Sequence, residues 1–129
     1  MKRVLVIEDN EDNLYLIKFI LTNFDMTPIV AMKGFDGYKM ALEEKPELIL
    51  MDIQLPDISG LEVTKMIRAA KEGESVPIIA ITSYAMPGDR QKALAAGCTG
   101  YIEKPINPET FIDDINKFLK TDGFNGNSK

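Results

Sequence analysis

The sequence predicts an open, doubly wound α/β fold built on a five-stranded parallel sheet with five helices, and three observations carry that prediction. Five short apolar runs recur at regular intervals, segments with helical apolar spacing follow them, and the alternation of strand and helix persists to the end of the patterned region. Parallel strands need crossover connections, which right-handedness distributes over both faces of the sheet. Five such units are too few for an eight-unit barrel. With 129 residues and 45% hydrophobic content, the chain has the size of one domain and enough apolar material for a continuous core.

The strand-length runs are residues 4–7, 27–31, 48–51, 78–81 and 99–102. Helical spacing appears first at Leu14, Ile17, Leu21 and Phe24, again at Val63, Met66, Ile67 and Ala70, and last at Phe111, Ile112, Ile115, Phe118 and Leu119. Segments 35–44 and 88–96 carry weaker periodicity, the second with Gly97 as its terminator. Residues 1–120 read as the domain and 121–129 as a frayed polar tail.

Composition removes several classes of function. The net charge of −5 disfavours direct binding to nucleic acid, which rests on a basic surface. The chain has no histidine and one cysteine, Cys98, so it lacks the commonest general base, a zinc site and an internal disulfide. No apolar run approaches the roughly 20 residues of a membrane span, and the N-terminus turns acidic too soon for a secretory signal. Cytoplasm is the expected compartment, without membrane insertion.

In open α/β sheets the site lies at the carboxyl ends of the strands, where strand order reverses. Here the first strand runs into Glu8-Asp9, the third into Asp52, the fourth into Thr82-Ser83 and the fifth into Glu103-Lys104. A flavodoxin-like order, 2-1-3-4-5, makes these four strands neighbours and gathers their terminal side chains on one edge. Carboxylates collected there would repel by about 4 kcal/mol per pair at roughly 4 Å. Oxygen ligands alone favour a hard divalent cation, and an open acidic site suits Mg2+ better than calcium. Asp52 can then serve as a nucleophile toward phosphorus, Lys104 as a point charge and Thr82 as a hydroxyl donor for the transferred group.

Val4 to Asn10, Leu50 to Pro56, Ser59-Gly60, Ala80 to Ala85 and Tyr101 to Pro105 together closely resemble the receiver domains of two-component response regulators, over about residues 3–120. Within that family the chain looks most like stand-alone receivers and those attached to hybrid histidine kinases, and the stand-alone class is the one expected. The resemblance implies a phosphorelay function, in which Asp52 accepts a phosphoryl group from the phosphohistidine of a histidine kinase or histidine phosphotransfer protein. It implies that Asp9, Asp52 and the Gln54 main-chain carbonyl hold magnesium. Glu8, longer than the Asp common in the family, would help through a water. It further implies a cis Lys104-Pro105 bond and an aromatic switch pairing Thr82 with Tyr101. Binding to a downstream protein target would change through the face of the fourth helix, fifth strand and fifth helix. Such a switch promotes its own phosphorylation and dephosphorylation and turns over no external substrate; a monomer or weak dimer is expected.

Other residues have simpler readings. Glu11 and Asp12 suit the first turn of a helix, Ser83 and Cys98 read as structural, and Gly60 relieves a backbone constraint at a helix start. Gln54 and Tyr84, each two residues beyond a site residue, border the path of a water attacking the acyl phosphate, which predicts slow self-hydrolysis. A haloacid-dehalogenase-type phosphatase would need an acid where Gln54 stands. A flavodoxin would need a hydroxyl- and glycine-rich loop where Glu8 to Asp12 would repel phosphate. A receiver-shaped scaffold without phosphorylation is disfavoured by the intact Asp52, Thr82 and Lys104.

Overall fold

The computed structural model describes residues 2–83 and 86–120, residues 119 and 120 by backbone alone. Five strands, β1 (Lys2–Ile7), β2 (Met26–Ala31), β3 (Leu48–Asp52), β4 (Ile78–Thr82) and β5 (Gly100–Glu103), form one parallel sheet in the order β2-β1-β3-β4-β5. They alternate with α1 (Glu11–Asn23), α2 (Gly34–Glu44), α3 (Gly60–Ala69), α4 (Asp89–Ala96) and α5 (Phe111–Lys120), and a short 3-10 turn (Lys71–Gly73) follows α3. The predicted architecture and strand order are those observed.

The period-2 geometry of a strand splits each apolar run between two cores. Val4 and Val6 join Leu50, Ile81 and Ile102 beneath α1 and α5, whereas Leu5 and Ile7 join Met51 and Ala80 beneath α2, α3 and α4. Every residue of β3 and β4 is buried, as expected for parallel strands covered on both faces. Pro28, which cannot donate to a ladder, lies in β2 at the sheet's edge, where such a residue is tolerated.

The two weak helical segments have physical reasons for their weakness. In α2 the buried positions are Gly34, Gly37 and Ala41, and a Cβ on Gly37 would come within 2.5 Å of the Ile7 side chain. Close approach through small residues replaces a large apolar stripe. α4 buries only Ala93 and Ala96 and ends at Gly97, whose φ of 115° favours glycine. Phe24 departs from expectation. The last helical residue of α1 is Asn23, so Phe24 falls at its C-cap and is 53% exposed, while Ile20 takes the buried place.

Gly60 also differs in cause. It carries no positive φ; a Cβ there would overlap the Asp52 carbonyl oxygen and crowd Ile53, so glycine is required by the closeness of α3 to the end of β3.

Arg68, in the last turn of α3, ties together three segments on the opposite edge of the sheet. Its guanidinium donates to the carbonyls of Gly73 and Val76 at 2.9 and 2.6 Å, and its Nε–H to Gly97 O at 2.8 Å. Planar, multiply donating geometry is what a lysine lacks. Arg68→Ala is expected to lower unfolding stability by about 2 kcal/mol, with Arg68→Lys recovering only part of it. Urea unfolding midpoints for the three proteins measure this, and an unchanged midpoint in the alanine variant removes the tie from the account.

Candidate functional site

The ladder runs one residue beyond three of the strands, and those extra bonds place the site. Glu8 N–H donates to Ala31 O at 3.0 Å, Ile53 N–H to Ile81 O at 3.0 Å, and Lys104 N–H to Thr82 O at 2.8 Å. Asp52 and Thr82, expected just after their strands, are the last strand residues, with Asp52 opposite Ile81 and Thr82 opposite Glu103. β1 and β3 are the adjacent strands whose connections leave in opposite directions, the crevice where α/β sites form.

Three carboxylates meet there. Oxygen atoms of Glu8, Asp9 and Asp52 all lie within 4.8 Å of one another, with Glu8 and Asp52 buried and Asp9 nearer the surface. The Lys104 ammonium stands 3.1 Å from Glu8 Oε1 and 3.5 Å from Asp52 Oδ2. Glu8 Oε2 accepts the Asn10 N–H at 3.1 Å, and Asp52 Oδ1 accepts the Gln54 N–H at 3.1 Å. Although close to Lys104, buried Glu8 Oε1 has no hydrogen bond of acceptable geometry.

One ammonium does not neutralise this group. Burial, reinforced by the charge of Glu8, pushes the Asp52 carboxyl up to about 7, against the opposing influence of the Gln54 N–H and Lys104. An under-bonded buried oxygen and a carboxylate made costly to ionise, in an all-oxygen donor set, fit a small hard dication. Glu8, Asp9 and Asp52 are the side chains that would hold it.

Residues 4–116 match the response regulator receiver domain family. The chain belongs to that family. This receiver is 42% identical to the polar-differentiation response regulator DivK of Brucella anthropi over 118 residues, 92% of this chain and 96% of that protein. It is similar to the receiver domain of sensor histidine kinase PA1611 from Pseudomonas aeruginosa PAO1, whose structure has a magnesium ion coordinated in the active-site cleft. The TM-score is 0.84 and the identity 31%, covering 92% of this chain and 98% of that one. It also resembles the BeF3-activated N-terminal receiver domain of Klebsiella pneumoniae RstA, with a TM-score of 0.81 and 27% identity over 92% of this chain and 98% of that one. The chain is therefore a receiver domain of phosphorelay signalling. Among its described residues no helix is long and apolar enough to cross a membrane.

In the receiver, Glu8, Asp9, Asp52 and Lys104 converge, and Gln54 joins them through its backbone N–H. Thr82 and Tyr101 instead share a cavity of about 110 Å³ with Gln54, Asp89 and Ala93, beside α4. The Lys104-Pro105 bond is cis. Glu11 and Asp12 occupy the first turn of α1, capped by Asn10. Tyr84, Ala85 and the 121–129 tail lie outside the described residues. Two contributors were given no role from the sequence: Asn10, quoted there only within a motif, whose N–H bonds Glu8 while its side chain caps α1, and Asp57, which caps α2.

The raised Asp52 pKa fixes the sign of a pH effect. Between the ordinary carboxylate value of 3.8 and about 7, the folded protein holds a proton that the unfolded chain has lost, so stability falls as pH rises through that window. Asp52→Asn removes the penalty and still accepts from Gln54. In chelator at pH 8 the variant is expected to be more stable by about 2 kcal/mol, a figure held down by solvent screening in the open cleft. The gain should vanish near pH 4. Thermal unfolding at the two pH values checks this, and an equal gain at both would show that the effect does not come from ionisation.

Proposed function

We propose that this receiver takes a phosphoryl group from a partner's phosphohistidine onto Asp52, in a reaction that needs magnesium held by Glu8, Asp9, Asp52 and the Gln54 carbonyl. The observation that carries this reading is the meeting of Asp52 with two further carboxylates and the Lys104 ammonium at adjoining strand ends. A bound dication would supply charge neutralisation and orientation for the phosphoryl oxygens.

The protein's own groups do the remaining work. A carboxylate oxygen of Asp52 attacks phosphorus, the P–N bond to the donor imidazole breaks, and the imidazole leaves as the acyl phosphate forms. Lys104, already facing Asp52, offsets the charge of the transferred group. Asp52 Oδ1 is held by the Gln54 N–H, which leaves the side facing Lys104 oriented for attack. Burial and the Glu8 charge disfavour an ionised Asp52, so a cation held by the same carboxylates would favour the nucleophilic form.

The new group carries about −1.5 to −2 charge and three strong acceptors. Thr82, buried at the end of β4, is the hydroxyl placed to follow it. Its movement enlarges the space it shares with Tyr101, and an inward turn of that ring alters the face formed by α4, β5 and α5. Phosphorylation then acts by favouring one of two pre-existing arrangements. The histidine-containing donor and the downstream protein both meet the chain in the cytoplasm, and the chain itself turns over no external substrate.

Two measurements test this reading. Incubation with acetyl phosphate and magnesium is expected to add one phosphoryl mass, abolished by Asp52→Asn and prevented by chelation; persistent labelling of the variant rejects Asp52 as acceptor. Separately, beryllium trifluoride is expected to shift the amides of Tyr101 and α4 in the native protein and much less in Thr82→Ala. Perturbations confined to the neighbourhood of Asp9 and Asp52 would exclude the proposed output face.

A further inference from the structure

We infer that Asp57 is a positioning residue for the phosphoacceptor loop: by capping α2 from outside that helix, it holds the Gln54 segment in the arrangement that sets metal affinity beside Asp52. The inference rests on the reading of Gln54 and the three carboxylates as the magnesium site.

The start of α2 lacks a cap of its own. Lys33 precedes it in an extended conformation and makes no side-chain cap bond, although its carbonyl accepts from Gly37 N–H at 2.9 Å. The orphan amides of Gly34 and Phe35 instead donate to Oδ1 and Oδ2 of Asp57, at 2.8 and 3.1 Å. One carboxylate thus satisfies two donors at the positive end of a helix, from a residue 23 positions further along the chain. Contact around this bond is tight. A Cβ on Gly34 would overlap the Ile58 side chain and lie 2.9 Å from Val63, so the loop sits directly on the first turn of α2.

That loop is the one on which the chemistry depends. It leaves β3 at Asp52, carries Gln54, and enters α3 at Gly60. Ile53 N–H to Ile81 O at 3.0 Å and Gly60 N–H to Ile53 O at 2.8 Å fix its base, and Ser59 Oγ, accepting from Leu61 N–H at 3.1 Å, fixes its exit. Asp57 fixes its middle. Asp57 itself is exposed and belongs to none of the carboxylates in the cleft, so its influence passes through the backbone between it and Gln54. Groups that orient metal ligands from behind commonly change affinity about 10- to 100-fold when removed; one acting through three residues of backbone should do less.

The test is a magnesium titration of the intact chain, followed by backbone amide shifts because the protein has no tryptophan to report binding. Wild type, Asp57→Ala and Asp57→Asn are compared. Asp57→Ala is expected to weaken magnesium binding about three- to tenfold, and Asp57→Asn, which keeps one acceptor oxygen, to fall between the two. In wild type the Gly34 and Phe35 amides should move on adding magnesium; in Asp57→Ala that response should be lost. Labelling by acetyl phosphate should be slowed in Asp57→Ala at low magnesium and recover at saturating magnesium, a split that loss of stability alone does not produce. Magnesium affinities within about twofold of wild type in both variants, whatever their melting temperatures, overturn the inference. Failure of wild type itself to show magnesium-dependent shifts at Asp9 and Asp52 overturns the metal site, and this inference with it.

Discussion

The position of one ammonium group governs the upper edge of this sheet. Lys104 is set against two buried carboxylates, and a third acid stands beside them. Such a cluster is stable only if its members cannot drift apart or collapse together, since buried charges are tolerated where partners are fixed. The sheet provides that fixity by extending its hydrogen-bond ladder one step past β1, β3 and β5, into Glu8, Ile53 and Lys104. The site is thus less a set of loops than the last rung of the sheet. The charge left unbalanced on that rung is of the kind a small hard cation would offset.

Much of this was legible in the sequence because it follows from periodicity and from a topological rule. Alternating apolar runs gave the strands, the crossover rule gave their direction, and the crevice rule singled out Glu8, Asp9, Asp52, Thr82 and Lys104 before any coordinate. Less legible were features whose partners lie far away in sequence. Gly60 looked like a conformational glycine, but what forbids a side chain there is the carbonyl of Asp52. The faces of α2 and α4 were faint because glycine and alanine carry little hydropathy even where they allow the closest packing. Phe24 continued the apolar spacing of α1 past the point where the helix stops. Asp57 gave no signal at all, since its two amide partners belong to a helix that precedes it by more than twenty residues.

The connections around the cleft differ in how they are held. On the side of α2, a bidentate carboxylate and close contact at Gly34 tie the β3–α3 loop to a neighbouring helix. On the side of α4, the bond from Met86 N–H to Asp89 Oδ2 stays within the segment it stabilises. One rim is braced to its surroundings and the other to itself. Gln54 and Ile53, on the braced loop, line the same cavity as Thr82 and Tyr101, so the cavity lies between the two kinds of rim.

The attachment of α4 has a mechanical consequence. Its C-terminal end is secured through Gly97, whose carbonyl accepts from Arg68 at the sheet's far edge, whereas only two alanines bury its length. A helix of eight residues is about 12 Å long. Fastened at one end and lightly seated elsewhere, it is arranged to pivot rather than to slide, and a turn of about 10° would carry its opposite tip through roughly 2 Å. That tip begins at Asp89, on the wall of the cavity that Thr82 and Tyr101 share. The fastened end of α4 stands at the edge remote from Asp52 and the lightly seated end beside the cavity, so that a displacement of atomic size at the end of β4 would act where the arm is longest.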